Sequence, residues 1–204
     1  MRTADEILQE GIRAGQIGGS SEPHGLHAMG FLAFLGQTYE QLGGHCIDIG
    51  SGVGLPGLVL ADACPGTTWT LIERREGRTD LLQRAVKRLE LDDRVEVFVG
   101  DVVDAANSSL RATADWVTAR SFGPPADTAE CATGLLRPGG SLITSEPFDG
   151  DVDKRWPVAE LEELVGLRRE HEWSTAEGRY LRFVRLDHDL PHLPRKGARK
   201  KKLF

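Results

Sequence analysis

Apolar positions recur at helical spacing twice before the chain settles into alternating strands and helices. Residues 1–20 set Ile7, Leu8, Ile12 and Ile17 among polar neighbours and break at Gly18-Gly19-Ser20-Ser21, which predicts an amphipathic helix and a turn. Residues 24–42 form a second helix-like run through Leu26, Met29, Phe31, Leu32, Phe34 and Leu35, closed by Gly43-Gly44. Short apolar runs then predict strands at 46–49, 69–72, 95–99, 116–119 and 141–144. Helical spacing fills the intervals at 55–63, 126–136 and 78–90, the last with Leu81, Leu82, Ala85, Val86 and Leu89 on one face. Arg137-Pro138-Gly139-Gly140 reads as a turn before the fifth strand. A helical stretch at 158–165 precedes two β-like runs, 168–173 and 180–186, joined by a hairpin-length connection containing Gly178. The alternation predicts an α/β fold, a mostly parallel sheet with helices on both faces and an antiparallel C-terminal hairpin.

The first strand runs into Asp48-Ile49-Gly50-Ser51-Gly52-Val53-Gly54-Leu55-Pro56-Gly57. Glycines at a strand end tolerate positive φ and let a ligand approach closer than a Cβ allows. The helix that follows is expected to face the turn with unpaired N–H groups. A nucleotide-like cofactor suits such a turn. Gly52-Val53-Gly54-Leu55-Pro56-Gly57 also satisfies G-x-G-x-x-G, and Glu73 lies about 20 residues on, where a dinucleotide fold places its ribose-binding acid. An NAD-dependent oxidoreductase is therefore a competing reading. Against it stand a length of 204 residues, short for a dinucleotide fold with its usual substrate domain, and further signals that such enzymes do not need.

Charge sharpens the picture. The chain carries a formal −6, yet Arg195, Lys196, Arg199, Lys200, Lys201 and Lys202 crowd its last ten residues, leaving a strongly acidic body. The tail is either a solvated terminus or an arm that contacts RNA. No apolar run reaches the roughly 20 residues of a membrane span, and no signal peptide is evident. Cys46, Cys64 and Cys131 lack CxxC or Cys/His spacing, which predicts small buried thiols, no metal site and a cytoplasmic setting. The oligomeric state stays open.

Asp48 two residues before Gly50, Gly100-Asp101 after the third strand and Leu136-Arg137-Pro138-Gly139-Gly140 before the fifth together resemble class I S-adenosylmethionine-dependent methyltransferases, over roughly residues 45–186. The resemblance implies a Rossmann-like, seven-stranded sheet with S-adenosylmethionine as cofactor. Asp48 would help hold the methionine ammonium, and Gly50, Ser51, Gly52, Gly54 and Leu55 would form the cradle. Glu73, beside Arg74, would accept both ribose hydroxyls; Asp101 would face the adenine amino group, with Val102 and Val103 flanking the ring. The plainer alternatives are a helix cap for Asp101 and, for Glu73, a surface carboxylate paired with Arg74 or Arg75.

A narrower likeness lies in the Leu55-Pro56-Gly57 ending of the turn, in Ala119-Arg120-Ser121-Phe122, and in Pro194-Arg195-Lys196 with Lys200-Lys201-Lys202. These are similar to the ribosomal small-subunit methyltransferase G family, also called glucose-inhibited division protein B, whose members methylate N7 of a guanine in 16S ribosomal RNA. The implied partners are ribosomal RNA and the small ribosomal subunit. N7 carries a free lone pair and the sulfonium methyl is already electrophilic, so no Ser/His/Asp or Cys/His constellation is needed. Alignment of the reactants at about 3 Å in a dry site suffices. Arg120 and Phe122 are the catalytic candidates: Arg120 on the cofactor carboxylate, guanine O6 or phosphate, Phe122 stacked on the base. Their plainer roles are a salt bridge to Asp115 or Glu146 and core packing. The fifth strand ends in Thr144-Ser145-Glu146-Pro147, where the family more often has lysine and glycine, and the amino-terminal region lacks the family's Asn-Leu-Thr-type segment. A small-molecule acceptor therefore remains open, under a lid from residues 20–42 with His24 and His27 as bases, as does a non-catalytic cofactor-binding module. The domain reading is a helical segment or lid at 1–44, the cofactor domain at 45–190 and the basic tail at 191–204.

Overall fold

The computed structural model describes residues 4–195 and 203–204. Lys196, Arg199, Lys200, Lys201 and Lys202, five of the six cations of the tail, lie outside the described residues.

Helices α1 (Ala4–Arg13) and α2 (Ser21–Gly30) and a 3-10 segment (Ala33–Gln41) precede β1 (Gly44–Ile49). Then come α3 (Gly57–Ala63), β2 (Thr67–Glu73), α4 (Glu76–Arg88), β3 (Val95–Val99), α5 (Val102–Ala105) and β4 (Ala114–Ala119). α6 (Pro125–Leu135) and β5 (Leu136–Glu146) lead through α7 (Val152–Arg155) and α8 (Val158–Glu160), continued by a π turn (Leu161–Val165), to β6 (Leu167–Ser174) and β7 (Arg179–Arg185).

The seven strands form one sheet in the order β3-β2-β1-β4-β5-β7-β6. The first five pair in parallel, and β7 runs antiparallel to both β5 and β6, as the alternation predicts. Because successive side chains on a strand point to opposite faces, β1 serves two cores. Ile47 and Ile49 pack with Ala105, Ala132, Leu135 and Leu161 on one side. Cys46 packs with Ile7, Leu60, Leu82 and Val86 on the other. The strand order reverses between β1 and β4, so their carboxyl ends diverge and open the crevice in which ligands of such sheets sit.

Two expected elements take different forms. The run at 24–42 is not one helix: α2 stops at Gly30, and Gly36 at φ 57°, ψ −131° interrupts the segment that follows. Phe31, fully buried, and Phe34 pack onto the C-terminal hairpin at Tyr180 and Trp173. The Trp173 indole donates to Gly30 O and the Tyr180 hydroxyl to His27 O, each at 2.8 Å. Nor is Arg137-Pro138-Gly139-Gly140 a free turn. It bulges within β5, where pairing jumps from Ala114↔Leu136 to Trp116↔Ser141 and Gly139 takes φ 78°. The three cysteines are free and buried, and among the described residues no helix is long and apolar enough to cross a membrane.

The contact between α2 and the hairpin is tight. A Cβ at Gly30 would overlap the Tyr180 hydroxyl, whereas one at Gly25 meets nothing within 4 Å. Gly30→Ala should therefore lower stability in urea denaturation by about 1–3 kcal/mol through overpacking. Gly25→Ala, in the same helix, should raise it by about 0.5 kcal/mol or leave it level.

Candidate active site at the strand ends

Asp48 organises the crevice from behind. Its carboxylate is fully buried; Oδ2 accepts from the Ser51 hydroxyl at 2.6 Å and from Gly57 N at 3.0 Å, and Oδ1 from the Thr118 hydroxyl at 2.8 Å. The turn, the first residue of α3 and the end of β4 thus meet on one side chain. Gly57 permits this, since a Cβ there would sit 2.5 Å from Asp48 Cβ and 2.6 Å from a Leu71 methyl. Burial pushes the Asp48 pKa up to about 6, against the three hydrogen bonds and the Arg120 charge that pull it down. The amino end of α3 does not open to the crevice as expected. Gly57 N donates to Asp48 and Leu58 N to Gly54 O, so the protein's own carboxylate takes the place expected for a ligand. Both Asp48 oxygens are thus engaged by the protein's own donors.

Glu73, at the tip of β2, faces the crevice. Its Oε1 accepts from Arg74 N at 2.8 Å and Arg75 N at 2.9 Å, and its Oε2 from Gly52 N at 3.1 Å, with Arg78 Nη1 at 3.9 Å. With roughly two lone-pair sites per oxygen, Oε1 is filled and Oε2 keeps an acceptor position. Gly52 holds φ 62°, and a Cβ there would meet only Arg78 Nη1 and Gly50 O, each at 3.9 Å. Asp101 caps α5 through Val103 N at 3.0 Å and lies 3.7 Å from Arg74 Nη1. It is both the helix cap and a wall of the cavity. Glu73, Arg74, Asp101, Val102 and Phe122 surround a cavity of about 150 Å³; Val103, the second residue of α5, packs against the core cluster that includes α6.

Two further cavities adjoin it. One, of about 290 Å³, lies between Gln16, Ile17, Ser51, Gly52, Leu55 and Arg120. The other, of about 330 Å³, is walled by His27, Arg120, Phe122, Glu146, Arg155 and Trp156. Ser121 borders all three. It holds φ 51°, a left-handed conformation uncommon outside glycine and concentrated at functional sites. Its signal in the sequence is its place between Arg120 and Phe122. Arg78 and Gln16 carry no comparable signal, because only the fold brings α4 and the amino-terminal segment to the turn.

Arg120 makes neither expected salt bridge: Asp115 pairs with Arg137 at 2.6 Å and Glu146 with Arg155 at 2.5 Å. Instead Arg120 Nη2 donates to His24 Nδ1 at 2.9 Å, while His24 Nε2 lies 2.7 Å from Gly18 O. A guanidinium can only donate, so the His24 ring proton sits on Nε2 and its lone pair is occupied. His24 orients Arg120 and is not a base. Burial lowers the Arg120 pKa, although Tyr180 and Asp48 oppose it. It also lowers His27 to about 4, with the Arg120 charge and then His24 adding to the effect. Phe122 lies over Gly50, where a Cβ would meet its ring at 2.8 Å.

A sequence profile of GidB, rRNA small subunit methyltransferase G, matches residues 27–145, more than half of the chain, from the last turn of α2 to the penultimate residue of β5. The chain belongs to this family. A ribosomal RNA small subunit methyltransferase G from Salinispora tropica is 34% identical over 142 residues, which is 67% of this chain and 58% of that protein. The Thermobifida fusca protein of the same name is 36% identical over 142 residues, 70% of this chain and 58% of its own length. The chain thus spans less than two thirds of these family members. Among solved structures, an RNA methyltransferase from Salinibacter ruber in complex with S-adenosyl-L-homocysteine superposes with a TM-score of 0.57 at 18% identity, covering 78% of this chain and 90% of that one. An O-methyltransferase family protein from Burkholderia thailandensis gives 0.57 at 20% identity, covering 78% and 57%. At such identities the likeness is one of fold, and it is the Rossmann-like methyltransferase fold expected from the motifs.

The buried carboxylate that shapes the family's turn here has a measurable signature. The folded protein holds the Asp48 proton to higher pH than the unfolded chain, so its contribution to stability is fully present below the ordinary value of 3.8 and is lost as pH rises through about 6. Asp48→Asn removes this titration. The stability of wild type relative to the Asn variant should fall from pH 4 to pH 7 in urea titrations; a gap that does not change would contradict the assignment. His27, titrating in the opposite sense, is common to both proteins and cancels. Asp48→Ala, which strips three donors of their acceptor, should lose about 3 kcal/mol or more at every pH.

Proposed function

We propose that this protein is an S-adenosylmethionine-dependent methyltransferase that modifies N7 of a guanine in 16S ribosomal RNA. The observation that carries the reading is the convergence of Glu73, Asp101 and the glycine turn on one cavity, continuous through Ser121 with the one walled by Arg120 and Phe122. The residues present fit an adenosyl cofactor. Gly52 leaves open space at positive φ, Glu73 Oε2 keeps an acceptor for a ribose hydroxyl, and Asp101 with Val102 forms the wall for the adenine. The buried Arg120 Nη1 has no hydrogen-bond partner among the described residues and suits the cofactor carboxylate or an oxygen of the acceptor. Asp48, Ser51, Gly54 and Leu55 hold the cradle's shape from behind.

When bound, the cofactor supplies a methyl on a cationic sulfur: the N7 lone pair forms the new C–N bond, the C–S pair leaves with sulfur, and no proton departs. The chain's own residues need only align and desolvate. Phe122 and Trp156 exclude water from the acceptor side, and the His24–Arg120 bond fixes the guanidinium. Arg195 does not join the RNA arm, because the fully buried Glu130 accepts from its backbone N and guanidinium at 2.6–2.9 Å. That pair anchors the chain just before residues 196–202, whose cations would reach phosphate in the small subunit. The setting is the cytoplasm, where subunits assemble.

Labelled-methyl transfer from S-adenosylmethionine to purified small ribosomal subunits tests the reading, with 7-methylguanosine as the expected product. Transfer only to small molecules of a cell extract, or binding of NAD in place of S-adenosylhomocysteine, would overturn it. Glu73→Ala should weaken S-adenosylhomocysteine binding by about 1–3 kcal/mol in calorimetry, and an unchanged affinity would place the ribose elsewhere.

A further inference from the structure

The cavity of about 330 Å³ beyond Phe122 lies on the side of Arg120 away from Glu73, and its size is within the roughly 300–1,000 Å³ of ligand pockets. Three of its wall residues carry buried polar atoms without a hydrogen-bond partner among the described residues: His27 Nδ1, Arg120 Nη1 and Trp156 Nε1. Each such atom costs about 1–3 kcal/mol when left unpaired, so their concentration marks a place where a polar molecule completes the bonding. The wall's one carboxylate is Glu146, at the end of β5 and 8% exposed. Arg155 Nε donates to its Oε2 at 2.5 Å, and Oε1 has no partner among the described residues. A buried carboxylate with an open oxygen selects a ligand that presents donors.

We infer that Glu146 is the specificity-determining residue for the acceptor base, choosing guanine by accepting hydrogen bonds from its N1–H and its 2-amino group. This rests on the rRNA methyltransferase reading above. Of the four RNA bases only guanine places two donors side by side on its Watson–Crick edge. Adenine and cytosine set an acceptor nitrogen beside their amino group, and uracil flanks its single N–H with two carbonyls, so each turns a lone pair toward the carboxylate. The same docking orients the base. With N1 and N2 on Glu146, O6 comes next around the ring and meets a donor such as Arg120 Nη1, while N7, on the far edge, is directed toward the glycine turn. Methylation at N7 leaves the positive charge on the base, which makes N1–H a stronger donor. The Glu146 contact therefore tightens as the methyl transfers, which favours the transition state over the ground state.

The test uses the full chain and small subunits reconstituted from 16S transcripts with guanosine or inosine at the methylated position; inosine lacks only the 2-amino group. Affinity of the S-adenosylhomocysteine-loaded protein and kcat/KM for methyl transfer are measured for wild type, Glu146→Gln and Glu146→Asp. Wild type should prefer guanosine about 10-fold. Glu146→Gln should lose about 10- to 100-fold on guanosine, with S-adenosylhomocysteine affinity unchanged and the guanosine-to-inosine ratio near one. Glu146→Asp, which keeps the charge, should recover part of the preference. A Gln variant that retains the wild-type ratio, or that falls equally on both subunits while losing S-adenosylhomocysteine affinity, shows a structural role only and overturns the inference. Failure of wild type to methylate either subunit instead overturns the reading it rests on, and the inference with it.

Discussion

A carboxylate sealed inside a protein persists only when its oxygens are met by donors, because desolvation otherwise costs several kcal/mol. Asp48 meets that condition with Ser51, Gly57 and Thr118, and in doing so fastens three elements at the same point above the sheet. Thr118 stands two residues before Arg120, so the bond that satisfies Asp48 also fixes where β4 delivers its guanidinium. Ser51 and Gly57 bracket the turn, so the same bond set fixes its path and leaves Gly52 N to reach Glu73. Burial raises the Asp48 pKa while the three hydrogen bonds lower it, so the ionised carboxylate depends on those donors staying in place.

Around that point the amino-terminal helices and the C-terminal hairpin pack together beside the cavity walled by His27, Arg120 and Glu146. Gly18, His24 and Arg120 are linked in sequence by hydrogen bonds. Tyr180 and Trp173, from β7 and β6, hold the backbone of α2 through His27 and Gly30. A change in the packing of α2 therefore moves Arg120 and His27 together. Polar groups left without partners collect on the cavity between these elements, opposite the wall that carries Glu73 and Asp101. Each cavity carries both signs of charge: Glu73 and Asp101 stand with Arg74, Arg75 and Arg78 on one, and Glu146 with Arg120 and Arg155 on the other.

Strands and helices of the central domain were legible because parallel strands buried on both faces read as short apolar runs and the 3.6-residue period survives in α4, and the places of Glu73 and Asp101 at the ends of β2 and β3 were legible with them. The glycines were legible as backbone features but not in what fills the space they leave. Gly57 makes room for Asp48 and Gly50 for Phe122, contacts across nine and seventy-two positions that no local pattern encodes. The break at Gly36 was hidden by an apolar run that reads as helix until a positive φ interrupts it. Arg137 to Gly140 had the composition of a turn, yet β4 and β5 pair on both sides of it and turn it into a bulge. Glu146 looked out of place beside phosphate; in the fold it borders a cavity rather than the surface that a backbone would follow.

A crystal structure of the protein with S-adenosylhomocysteine tests the central claim most directly. A ribose hydroxyl is expected on Glu73 Oε2, the adenine against Val102 beside Asp101, and Asp48 still bonded to Ser51, Gly57 and Thr118, without contact to the ligand. A ligand amino group bonded to Asp48 in place of those donors, or an adenosine lying away from Glu73, would contradict it.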